Sequence, residues 1–346
     1  MQSEEKGYIN SIDNYQIVNL IGKGTYSKVY KAIDKSTHET VALKEIEFED
    51  IGIPKTSIRE IKFFSSIKHP NIAHFRRIIV DAVDPVSGNL SNKFYMVYDF
   101  YENDLAGLKR AVNTRLLPKF SIALIQCYFS QVMNVINYLH ERKIIHRDIK
   151  LNNILITNDN IVKLTDFGLS RVLPTKSHNM SLPVYAVSYR PPEILAKSWS
   201  YDVYSDIWAC GIVLVEMMTG EVPFHGNTEI LLFKDMLRFI PVQSRTGINT
   251  FDNNEYNIPY SMSLYTYLYN KAKKWLTGDD DVIHLGIRLC VWMLSFDVTK
   301  RPTAKEVLSH EFLTTSFPAG FFTTIDKRKQ TTMNSFLDYM VLERLK

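Results

Sequence analysis

The hydrophobic period changes once along the chain, and that change constrains the fold more than any single motif does. From Tyr15 to about Tyr98 the apolar residues fall in short runs rich in β-branched and aromatic side chains: "YQIVNLIG", "SKVYKAID", "ETVALKEIE", "RRIIVDA" and "KFYMVYDF". These read as strands. One helix-like piece, "KTSIREIKFFSSI", interrupts them. Beyond Glu102 the apolar residues recur at helical spacing, most clearly in "FSIALIQCYFSQVMNVINYLHE". The expected class is α+β, with a small, mostly antiparallel β lobe carrying one helix and a larger, mainly α lobe.

Composition agrees with a large globular domain: 346 residues at 45% hydrophobic content can bury a sizeable core. The formal charge of +4 is mild and spread along the chain and argues neither for nor against a nucleic-acid partner; no direct one is expected. Cys127, Cys210 and Cys290 sit in apolar surroundings without the close pairing of a zinc site or disulfide framework. They are expected as core thiols in a reducing compartment. The start, "MQSEEKGYIN", is polar and acidic, unlike a secretory signal. The most apolar run, "IWACGIVLVEMM", contains Glu216 and falls short of the roughly 20 residues of a membrane span. It reads as a buried helix, and no membrane partner is expected. "DPVSGNLSN" (Asp84 to Asn92) reads as a solvated hairpin loop. Residues 241–281 show no clear period before "LYTYLYNKAKKWL", and helical spacing returns near the end in "MNSFLDYMVLERL".

In "IGKGTYSKVYKA", Gly22 and Gly24 have the spacing of a loop that lies flat over phosphates, where a Cβ would hold the backbone away. Ser27 stands at the third glycine's place, and Val29 begins a strand where a dinucleotide fold would begin a helix. An ordinary tight turn between strands would carry the same two glycines. "VALKEI" places Lys44 on an apolar strand, where a buried ammonium needs a carboxylate. Glu60 in "PKTSIREIKFF" is the candidate, on a helix whose Ile58, Ile61 and Phe64 are expected to face inward, and the pair would hold nucleotide phosphates. A solvated lysine and glutamate are the commoner alternative.

"IIHRDIKLNNILI" and "KLTDFG" are more specific. A carboxylate at Asp148 would accept a hydroxyl proton, and Lys150 would neutralise charge on a phosphoryl group in transfer. Asn153 with Asp166 would supply hard oxygen ligands suited to Mg2+.

On these motifs the chain resembles the eukaryotic protein kinases from about Tyr15 to Leu313, which implies the bilobal kinase fold and ATP as co-substrate. The implied division is an N-terminal extension (1–14), an N-lobe (15–101), a C-lobe (102–314) and a tail (315–346). Within the superfamily it is similar to the cyclin-dependent kinases. "PKTSIRE" resembles their cyclin-binding helix, "YRPPE" supplies Arg190 for a pocket selecting proline, and "YDFYENDLAGLKR" together with "YRPPE" resembles the group acting on the C-terminal repeat tail of RNA polymerase II.

The resemblance implies roles position by position. Tyr98 would be the gatekeeper behind the adenine, Asp99 to Tyr101 the hinge, and Asp104 a neighbour of the ribose. Ile21 to Gly24, Lys23 included, would form the phosphate loop, with Ile21, Val29, Ala42 and Leu155 sandwiching the base; each apolar residue is equally at home as plain core. Ser181 would be the activation phosphosite facing Arg59, Arg147 and Arg171, and Thr25 and Tyr26 match inhibitory positions. Asp206 would brace the catalytic loop, and Arg301 would pair with Glu193. Two departures stand between these motifs: Ala186 where the family has a threonine bridging the catalytic aspartate and lysine, and Ser188 where it has a bulky aromatic.

The expectation is a nuclear, cyclin-dependent serine/threonine kinase acting on Ser/Thr-Pro sites of the polymerase tail. A cell-cycle or kinase-activating member is the alternative of the same class. A scaffold that binds ATP without turnover, suggested by Ala186 and Ser188, is the alternative of another.

Overall fold

The computed structural model describes residues 11–24, 27–48, 53–80, 93–173, 186–196, 202–239 and 261–315. The chain divides into two compact units, one of Met1–Glu102 with Thr165–Leu169, the other of Asn103–Leu164 with Ser170–Lys346.

The first unit is an antiparallel sheet of β1 (Tyr15–Lys23), β2 (Ser27–Asp34), β3 (Thr40–Glu47), β4 (Phe75–Val80) and β5 (Lys93–Asp99), in the order β1-β2-β3-β5-β4. One helix, α1 (Lys55–Ser66), packs on it. Alternation along the strands gives the sheet two apolar faces. Val41, Leu43, Tyr95 and Val97 join Tyr15, Ala32 and Ile79 on one face. Ile46, Phe94, Met96 and Tyr98 form the other, against Ile61 and Phe64 of α1. Register places Ala42 opposite Tyr98 and Lys44 opposite Met96, so Lys44 shares the helix-bearing face. A slip of one residue would turn it to the other face.

One expectation fails in α1. Ile58 is 39% exposed, while Ser57, Glu60 and Phe63 are buried. At about 100° per residue an inward arc centred on Glu60 and Phe64 leaves Ile58 on the outer side.

The second unit begins with β6 (Asn103–Asp104), α2 (Leu105–Asn113), α3 (Ile122–Glu141), β7 (Ile144–Ile145), β8 (Ile154–Ile156), β9 (Val162–Leu164) and β10 (Arg171–Val172). It continues with α4 (Pro192–Leu195), α5 (Val203–Thr219), α6 (Glu229–Leu237), α7 (Leu264–Trp275), α8 (Asp280–Met293), α9 (Ala304–Leu308) and α10 (Glu311–Thr314). The short strands pair as β6-β8-β9 and β10-β7. In α3, Ser121 accepts a hydrogen bond from Leu124 N at 3.2 Å as N-cap, and the inward stripe includes Ile125, Phe129, Val132, Ile136 and Leu139. The apolar run read as a buried helix is α5, buried from Ser205 to Thr219. It ends at Gly220 in the left-handed region (φ 79°), where a Cβ would lie 2.8 Å from the Trp275 ring.

All three cysteines are free and buried. No helix among the described residues is long and apolar enough to cross a membrane. "LYTYLYNKAKKWL" forms α7. Thr25, Tyr26, the Asp84 to Asn92 segment, Ser181, residues 241–260 and the chain beyond Thr315 lie outside the described residues.

Candidate active site

In the first unit the glycine-rich segment is a hairpin: β1 runs into β2 antiparallel, with Gly22 opposite Val29 and Lys23 opposite Lys28. Gly24 N donates to Ser27 O at 2.7 Å, and a Cβ on Gly24 would meet Ser27 Oγ at 3.0 Å. Val29 pairs with Lys44, and Ala42 with Tyr98, so these four residues share one face of the sheet. Ile21, on β1, is 47% exposed.

Lys44 is the centre of this face. Its Nζ donates to Glu60 Oε2 at 2.7 Å and to Asp166 Oδ1 at 3.2 Å. Burial pulls the ammonium's pKa down, but the two carboxylates outweigh it and hold the group above its ordinary value. Asp166 reaches this position through a left-handed backbone (φ 64°), a conformation an aspartate adopts at a cost. The Phe167 ring stacks on Phe63 of α1 with centroids 4.0 Å apart. A Cβ on Gly168 would sit 3.6 Å from Glu60 Oε2.

Tyr98, Asp99 and Tyr101, expected as gatekeeper and hinge, make contacts that pattern reading did not supply. The Tyr98 hydroxyl donates to Glu60 Oε1 at 2.7 Å. Asp99 accepts from Arg76 Nε at 2.5 Å and lies 3.2 Å from His74 Nδ1, so its carboxylate is held by β4 and the residue before it. The Tyr101 hydroxyl accepts from His74 N at 3.1 Å.

In the second unit the loop between β7 and β8 assembles the other candidates. Asp148 Oδ2 accepts from Lys150 Nζ at 2.7 Å and from Asn153 Nδ2 at 2.8 Å. Asn153 Nδ2 also donates to the Asp148 carbonyl at 2.8 Å, which fixes the amide's orientation. Buried Asp206 of α5 braces the loop from behind: it accepts from His146 N at 2.8 Å, Arg147 N at 2.9 Å and His140 Nε2 at 3.1 Å. Burial pushes its pKa up, and these donors, His140 foremost, bring it below the ordinary value. Arg147 is buried and left-handed (φ 68°). Asp104 and Leu155 are neighbours across β6 and β8, and Asp104 also caps α2 by accepting from Gly107 N at 2.7 Å.

The segment after Ala186 is tied down at three points. Tyr189 and Lys109 both donate to Glu216, a buried carboxylate in the C-terminal half of apolar α5. Arg190 forms an ion pair with Glu229 at the start of α6. Arg301 holds Glu193. Glu216 was conspicuous in the sequence as a charge in an apolar helix, a signal that a partner must exist; which partner is a matter of tertiary packing. Arg171 lies on β10, opposite Ile145, and Arg59 on α1. Ser181, which they were expected to face with Arg147, is outside the described residues.

These two constellations, an ammonium paired to a helix carboxylate and an aspartate held by a lysine and an asparagine, are those of phosphoryl transfer. The chain belongs to the protein kinase family, whose protein kinase domain matches residues 15–313. Its relatives include cyclin-dependent kinases. Cyclin-dependent kinase 9-B of Xenopus laevis is 32% identical, covering 90% of this chain and 83% of that protein. The CTD kinase subunit alpha of Schizosaccharomyces pombe is 34% identical over 88% of this chain and 49% of that protein, and that of Saccharomyces cerevisiae is 32% identical over 86% and 54%. The chain thus spans about half the length of these two subunits. Among solved structures, the yeast RNA Pol II CTD kinase CTDK-1 complex contains a chain of 29% identity with a TM-score of 0.73, covering 88% of this chain and 93% of that one. A protein kinase domain implies ATP as co-substrate and, as a rule, Mg2+.

Proposed function

We propose that this chain is the catalytic subunit of a cyclin-dependent serine/threonine kinase that transfers the γ-phosphate of ATP to Ser/Thr-Pro sites of the RNA polymerase II C-terminal repeat tail, in the nucleus. The observation that carries the chemistry is the Asp148 carboxylate, buried and held by Lys150 at 2.7 Å and Asn153 at 2.8 Å. The choice of substrate is supported by the names of the CTD kinase relatives.

Asp148 orients the acceptor hydroxyl and takes its proton. Lys150, already against Asp148, neutralises charge on the phosphoryl group in transfer. Lys44, held protonated by Glu60 and Asp166, contacts the nucleotide phosphates under the Gly22 to Gly24 hairpin, and Val29 and Ala42, on the same face of the sheet, offer apolar surface to the base. Asp166 offers a carboxylate and Asn153 an amide oxygen, the hard donors that suit magnesium. When bound, the ion neutralises the phosphate charge. Arg190 shapes the proline pocket. Arg59, Arg147 and Arg171 receive a phosphate on Ser181. The exposed Ile58 of α1 and Ile53 just before the helix supply apolar surface for a cyclin.

The test is phosphate transfer from Mg-ATP to a serine-proline repeat peptide by the full chain with a co-purified cyclin. Transfer that disappears in Asp148→Asn supports the reading; absence of transfer by the wild type, while a control kinase labels the peptide, overturns it.

A further inference from the structure

Glu60 is 2% exposed, and a carboxylate so far from water is costly unless its oxygens are satisfied. Lys44 accounts for one oxygen, Oε2. The other, Oε1, accepts the Tyr98 hydroxyl at 2.7 Å. These donors come from different strands, Lys44 from β3 and Tyr98 from β5. A carboxylate bonded at one oxygen can still turn about its last torsion, which is broad and shallow. Bonded at both, from two directions, it has one orientation.

Packing alone does not account for this hydroxyl. The Tyr98 ring is 7% exposed and meets Phe64 and Phe75 edge-on, each with centroids 5.5 Å away. A phenylalanine would make the same ring contacts and would bring no polar atom into an aromatic cluster. Burial, and then the Glu60 carboxylate, push the phenol's pKa well above its ordinary value, so the group remains a donor throughout the neutral range.

We propose that Tyr98 is a positioning residue for Glu60: its hydroxyl fixes the α1 carboxylate from the β5 side, so that the opposite oxygen is presented to Lys44 and the ammonium is aimed for a nucleotide polyphosphate. This rests on the kinase reading of the site. All three residues belong to this chain, so part of the ordering of α1 travels with it whether or not a partner is docked.

Tyr98→Phe keeps the ring and removes the hydroxyl, with its bond to Glu60 and its weaker 3.7 Å contact to Met96 Sδ. The readout is the affinity of the full chain for Mg-ADP, measured by titration calorimetry, with the melting temperature followed in parallel. Tyr98→Phe should weaken Mg-ADP binding about three- to tenfold. In a Glu60→Leu background the same change should leave affinity unaltered, because the carboxylate it acts through is gone. Unchanged affinity in Tyr98→Phe, with or without a lower melting temperature, would mean a merely structural tyrosine and overturn the proposal. An equal loss in both backgrounds overturns it as well. A wild-type chain that does not bind Mg-ADP removes the kinase reading itself, and this inference with it.

Discussion

Arg301 grips Glu193 with two parallel hydrogen bonds, Nη1 to Oε1 at 2.8 Å and Nη2 to Oε2 at 2.6 Å. The guanidinium is fully buried, its Nε donates to the Ser295 carbonyl at 2.7 Å, and its carbon lies 5.0 Å from the Trp208 ring centroid. Nη1 also donates to the Tyr204 carbonyl at 3.2 Å, so four of the five N–H groups have acceptors, the geometry that lets a buried ion pair offset its own desolvation.

Removing one partner of such a pair strands the other charge. Arg301→Met should therefore destabilise the second unit by about 3–5 kcal/mol, measured by urea unfolding. Glu193→Gln, which keeps an acceptor for the guanidinium, should cost clearly less. Equal losses would mean that packing around Arg301, and not the charge pair, holds this corner.

Ala186 lacks the hydroxyl that the kinase resemblance leads one to expect beside Asp148 and Lys150, yet Asp148 Oδ2 already receives hydrogen bonds from Lys150 and Asn153. Ala186→Thr should therefore raise turnover by less than about tenfold, the scale of one neutral hydrogen bond. Asn153→Ala should lower it much further. A larger gain on restoring threonine would show that Asp148 is poorly held.

His310 caps α10, its Nδ1 accepting from Phe312 N at 3.1 Å. Burial outweighs the neighbouring Glu311 charge and, with Arg288, holds the imidazole below its ordinary pKa of 6.5. The folded value is depressed, so the unfolded chain binds more protons on acidification. The stabilisation is present above pH 6.5 and is lost as the pH falls through the folded value. His310→Asn keeps an N-cap acceptor but cannot titrate. Its melting temperature should fall less than that of the wild type between about pH 7.5 and about pH 5.5.

Ile58 is 39% exposed on the outer side of α1. Ile58→Glu should change folding stability by no more than about 0.5 kcal/mol, as for other surface substitutions. Under the proposed function it should weaken cyclin binding about tenfold or more, measured by surface plasmon resonance. Unaltered binding would place the cyclin elsewhere.

Much of the fold was legible because its periods are clean. The strands of the first unit are short runs of β-branched and aromatic residues, α3 repeats every three or four residues, and α5 is mostly apolar. Lys44 announced itself as an ammonium on an apolar strand, and Glu60 as its partner on the following helix. Ile58 was misjudged because an amphipathic arc has no fixed phase in sequence. Its rotation is set by the need of Glu60 to reach Lys44, a tertiary constraint. The bond from Tyr98 to Glu60 left no trace in the pattern either, since a tyrosine and a phenylalanine are interchangeable in an apolar strand until the facing atom is known. His140 on Asp206 and Glu229 on Arg190 are pairings of the same kind, between residues far apart along the chain.

The first unit is not one continuous piece of chain: it ends at Glu102 and resumes only at Thr165–Leu169. Asp166, the second partner of Lys44, and Phe167, stacked on Phe63, arrive with that later piece. During synthesis the sheet and α1 emerge first, but the whole of Asn103–Leu164 must leave the ribosome before Lys44 meets Asp166. A nascent chain halted near Glu102 carries a sheet whose aromatic cluster is still open at Phe63. For this protein, truncation after the last strand of the sheet does not yield a finished domain.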